Sequence, residues 1–60
     1  MKPYLCYIRR PDREVSELTV ISSEDDDGVP AAVERILSDW PGYQIVEVFE
    51  DDRPVFRLQA

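Results

Sequence analysis

One amphipathic segment narrows what this chain can fold into. At about 100° per residue, Val29, Ala32, Val33, Ile36, Leu37 and Trp40 fall within an arc of about 140°, while Glu34, Arg35, Ser38 and Asp39 occupy the remainder. Pro30 sits in the first turn, where its missing N–H would have had no partner, and Glu24-Asp25-Asp26-Asp27 places negative charge at the positive end of the helix dipole. Pro41-Gly42 stops the helix after Trp40. The expectation is one helix over Val29–Trp40, whose apolar stripe needs a sheet face to cover it.

The flanking segments read as strands. Tyr4-Leu5-Cys6-Tyr7-Ile8 is closed by Arg9-Arg10-Pro11-Asp12-Arg13, where Pro11 suits position i+1 of a turn and Asp12 position i+2. From Val15 to Ser22 the chain is β-branched and partly alternating, with Leu18 and Val20 on one face and Glu17 and Thr19 on the other. Tyr43–Glu50 and Pro54–Gln59 form a second pair around Asp51-Asp52-Arg53. Pro54 has no N–H for a ladder and belongs at a strand start or on an edge.

The resulting order is β-β-α-β-β. It predicts an α+β fold, a four-stranded mainly antiparallel sheet with one helix packed on one face, spanning 1–60 as a single domain. A chain of 60 residues buries only about 60% of its unfolded surface, which leaves no room for a second core. A right-handed crossover over an intervening strand favours the order 2-1-3-4, against an order with strands 2 and 3 adjacent and parallel. Connectivity alone then sends Arg9–Arg13 to one end of the sheet and gathers Glu24–Asp27 and Glu50-Asp51-Asp52 at the other.

These elements carry a resemblance. A tyrosine-led first strand, an Asp-rich stretch before an Ala-containing helix, and the closing Glu47-Val48-Phe49…Asp52-Arg53-Pro54-Val55-Phe56-Arg57-Leu58 resemble a group of small uncharacterised bacterial β-β-α-β-β proteins. Val48-Phe49 stands where that group often has Leu-Trp, and Asp51-Asp52 carries no turn glycine. The resemblance implies the same fold and brings no activity with it.

Charge and composition exclude several chemistries. A net charge of −6 repels phosphate backbones and anionic headgroups, so neither nucleic acid nor a membrane surface is an expected partner. No apolar run approaches the roughly 20 residues of a membrane span, and no signal-peptide pattern opens the sequence, so a cytoplasmic location is expected. There is no histidine, and the single Cys6 lies in a strand without a base to activate it. Asp25, Asp27, Gly28 and Glu34 match four positions of a calcium loop counted from Ser23. Position 1 is Ser, however, and Pro30 commits the backbone to helix. Arg9, Arg10 and Arg13 are interrupted by Asp12 and read as solvated turn charge. No catalytic residue, metal ligand or cofactor-binding residue is assigned, and the expectation is a protein that is not an enzyme.

A surplus of apolar surface remains. The first strand places Tyr4, Cys6 and Ile8 on one face and Leu5 and Tyr7 on the other, and the third divides Val46 and Val48 from Tyr43, Ile45 and Phe49. One helix covers only one face. A three-residue loop in the second hairpin would align Val48 with Phe56, and a two-residue loop would align it with Val55. Tyr7, Ile45, Phe49 and Val55 are the expected members of the leftover patch. The leading expectation is an acidic interaction module that self-associates, as a homodimer, through the open face or an edge strand. The alternatives are an acidic regulator docking on a basic protein partner, and a weak small-molecule or metal binder.

Overall fold

In the computed structural model, which describes residues 1–60, the period-two alternation of the first run becomes strand β1 (Lys2–Arg9). Tyr4, Cys6 and Ile8 are fully buried, and Leu5 and Tyr7 are half-buried on the opposite face. The chain leaves β1 through the turn expected at Pro11-Asp12, closed by the Arg13 N–H donating to the Arg10 carbonyl at 3.2 Å. It returns as β2 (Glu17–Ser23). Val15, expected within this strand, lies in the connecting loop and is 73% exposed.

Asp26–Gly28 forms a short 3-10 turn, and α1 (Val29–Leu37) follows without a break. Asp25 caps the turn, its Oδ1 accepting from the Gly28 N–H at 3.1 Å. The helix buries Val29, Ala32 and Val33, the centre of the apolar arc, with Ile36, Leu37 and Trp40 packed at its margin. It ends three residues earlier than Trp40. The Asp39 and Trp40 N–H groups reach back only to the Ile36 and Leu37 carbonyls, so the last turn tightens. The residue before a proline disfavours helical backbone, which keeps Trp40 out of the helix.

β3 (Ile45–Glu50) and β4 (Arg53–Gln59) complete a sheet of order β2-β1-β3-β4 in which every neighbouring pair is antiparallel. This is the crossover order favoured from the sequence. β3 begins two residues later than expected, although the Gln44 N–H still donates to the Arg9 carbonyl at 2.7 Å. Pro54 lies on the β4 edge, as its missing N–H requires.

The second hairpin combines the two registers the sequence leaves open. Glu50 pairs with Arg53 around a two-residue loop, yet Val48 pairs with Phe56 because a bulge leaves Val55 without a partner. That extra residue keeps Val48 and Phe56 on the helix side together. The core is the resulting layer, with Tyr4, Cys6, Ile8, Ile21, Val46 and Val48 from the sheet meeting Val29, Ala32 and Val33 from the helix. No helix is long and apolar enough to cross a membrane.

Candidate functional site

With α1 committed to one face, the opposite face of the sheet is uncovered, and strand register dictates its layout. Val20, Leu5 and Phe49 form one cross-strand row, and Leu18, Tyr7 and Glu47 form the next. Arg9, Ile45 and Gln59 form a third, more polar row. The Tyr7 and Phe49 rings meet edge to face, their centroids 5.6 Å apart at 89°. Such a pair is worth roughly 0.5–1.5 kcal/mol beyond its buried area. Leu18 and Val20, on the outermost strand, are 57% and 59% exposed. A shallow trough of about 450 Å³ runs along this face, lined by Tyr7, Ser16, Glu47, Phe49, Asp51 and Asp52.

The four residues expected in the patch do not all meet. Tyr7 and Phe49 touch, and Ile45 shares their face one row beyond Glu47. Val55 instead packs against the core beside Phe56 and Leu58: the two-residue loop directs it to the Val48 side, and the bulge lets Phe56 join it there. Leu5, Leu18 and Val20 complete the apolar surface. The alternation of Leu18 with Val20 was the signal for two of them, but only pairing with Leu5 and Tyr7 places that face away from the helix.

The sheet end near the helix start is the charged pole expected from connectivity, and it is organised by cations. Arg53 Nη1 lies 3.0 Å from Asp26 Oδ2, and Arg53 Nη2 donates to Asp26 Oδ1 at 3.1 Å and also to Glu50. Lys2 Nζ sits 3.3 Å from Glu50 Oε2, and the buried Tyr4 hydroxyl donates to Asp26 Oδ1 at 2.9 Å. Hydrogen bonds from Arg53 above all hold the Asp26 and Glu50 carboxyls below their usual range. Burial, followed by the bond to Asp26, raises Tyr4. Glu24, Asp25, Asp27, Asp51 and Asp52 have no cation within ion-pair distance.

The arginine cluster at the other end is dispersed. Arg10 lies over the Trp40 ring, its Cζ 5.8 Å from the centroid, and Arg13 faces Glu17 at 3.9 Å. Cys6 is buried in β1, and burial pushes its thiol up to about 11. No three Cys, Asp or Glu side chains are grouped to hold a metal ion. The arrangement presents an apolar field on one face and uneven charge at its ends. No family model, no curated protein and no solved structure matches the chain.

Proposed function

We propose that this protein is a non-enzymatic interaction module whose partner is a second copy of itself, met through the uncovered sheet face or the strand edge that borders it. The observation that carries this reading is the contiguous apolar field of Leu5, Tyr7, Leu18, Val20 and Phe49 on the face away from α1. Surface of this kind is worth roughly 25 cal/mol per Å² when buried, before the costs of association are met. With a net charge of −6 on each copy, association is modest in strength and improves with salt.

Sedimentation of the purified protein between about 10 µM and about 1 mM, at low and high salt, tests this reading over the range where weak dimers form. Mass rising with concentration toward twice that of the chain supports it. A monomer across the whole range overturns it.

The charged pole favours a second reading, a regulator that docks on a basic protein. Five carboxylates there lack a cation partner, and Asp51 and Asp52 border the trough beside Tyr7 and Phe49. Capture of a basic partner that is lost as salt is raised would support this reading over self-association.

A further inference from the structure

The two edges of the sheet are built differently. β4 carries Pro54, the bulge at Val55, and the charges of Arg53 and Arg57. A missing N–H, a local kink and edge charge each discourage the addition of another strand. β2, the opposite edge, carries one charge, at its first residue Glu17, and continues as Leu18-Thr19-Val20-Ile21-Ser22-Ser23 with no further charge and no proline, glycine or bulge. Its Leu18 and Val20 are more than half exposed.

We propose that β2 pairs antiparallel with β2 of a second copy about a two-fold axis near Val20, joining two sheets into one. The proposal rests on the self-association reading above and names the surface that performs it. Val20 is the middle residue of Glu17–Ser23, so self-pairing there uses the whole strand. The axis stands normal to the sheet, both helices lie on the same side, and the two apolar fields become one strip across the seam.

Charge layout selects a second copy in this orientation. The acidic run Glu24–Asp27 follows β2 directly, and Arg13 precedes it by four positions. Antiparallel pairing therefore keeps the two acidic poles at opposite ends of the joined sheet. The loop that then meets the acidic run of the other copy holds Arg13 among Asp12, Glu14 and its ion-pair partner Glu17, so separation of the acidic poles, and not a new ion pair, selects the orientation. Parallel pairing would set the poles side by side. Closure of the edge follows: once both β2 strands are used, only the two guarded β4 edges remain, so strand addition stops at two copies.

Sedimentation of the parent chain, Val20→Lys and Phe49→Lys, with amide hydrogen exchange of the parent above and below its association midpoint, tests the proposal. Phe49 lies on β3, two strands from the β2 edge, so a lysine there disturbs face packing and leaves edge pairing intact. The expected result is a dimer for the parent and for Phe49→Lys, and a monomer for Val20→Lys. Alternate β2 amides between Leu18 and Ser22 should exchange at least about tenfold more slowly in the dimer. If either variant fails to fold by circular dichroism, the parent's exchange pattern decides alone. A dimer with unchanged β2 exchange, or one that survives Val20→Lys, overturns edge pairing while self-association stands. A parent that is monomeric throughout overturns both, and leaves the edge to an extended segment of another protein.

Discussion

Arg53 and Asp26, 27 positions apart in the chain, form a two-contact ion pair, with Nη1 to Oδ2 at 3.0 Å and Nη2 to Oδ1 at 3.1 Å. The pair ties the second hairpin to the turn that starts the helix. Both side chains are about half exposed, so solvent screens the attraction, and its main consequence is geometric. It fixes the helix entry over the end of the sheet while the Tyr4 hydroxyl holds the same carboxylate from below.

This pair sets the acid response. Asp26 and Glu50 have depressed folded-state values, so their contribution is fully present above the unfolded carboxylate range near pH 4. It is lost as pH falls through the lower folded values. Thermal melts from neutral pH downward should show the parent losing stability across that window. Arg53→Gln should start lower at neutral pH and fall less steeply in acid, because its carboxylates titrate nearer their unfolded values. Parallel curves for parent and variant would contradict the assignment.

Gly28 and Ser23 should show strong coupling. A Cβ at Gly28 would lie 2.4 Å from Ser23 Oγ, and that hydroxyl is buried and donates to the Asp25 carbonyl at 2.7 Å. Gly28→Ala should therefore cost about 1–3 kcal/mol in denaturant unfolding. Ser23→Ala alone should cost about 1 kcal/mol for the lost hydrogen bond. On the Ser23→Ala background the sign reverses. Gly28 has φ −83° and ψ −10°, which alanine adopts freely, so Gly28→Ala should then stabilise by about 0.4–1 kcal/mol. Additive costs in the double variant would show that the close approach is not what requires glycine.

Asp51 occupies the left-handed region at φ 54°, where an L side chain is strained. Asp51→Gly should raise stability by about 0.5–1 kcal/mol, the relieved strain outweighing the extra chain entropy of glycine. Asp51→Asn removes the same charge and keeps the side chain. If the asparagine variant gains as much as the glycine variant, repulsion at the acidic pole is the cause and backbone strain is not.

Cys6 should be inert to thiol reagents in the folded protein at mildly alkaline pH. Its thiol is buried and raised to about 11, so the folded state favours the protonated form. The associated stability is fully present below the unfolded thiol value and is lost as pH rises through about 11. Labelling rates should track global unfolding, rising with denaturant and above about pH 9. Rapid labelling under native conditions would place Cys6 outside the core.

Local signals account for the element types and their order. Six apolar residues at helical spacing between Val29 and Trp40, and period-two alternation in Tyr4–Ile8, are properties of neighbours in the chain. So is the turn at Pro11-Asp12, where one proline and one short polar side chain suit a reversal. The acidic pole followed from counting strand directions. At the helix end two local signals conflict: Trp40 continues the apolar arc, but backbone restriction before Pro41 removes it from the helix.

The sequence by itself determined a single helix, four strands and the direction in which each runs, because periodicity and turn chemistry act over a few residues. Tertiary structure decided which strand face met that helix. With a two-residue loop, Val48 and Phe56 reach the core together only if one residue of β4 is left unpaired, so the bulge fell at Val55, which packs against the core as well. The same packing left Leu18 and Val20 exposed on an unguarded edge and brought Arg53 to Asp26. These outcomes depend on contacts between distant segments, where filling one core volume outweighs any local preference.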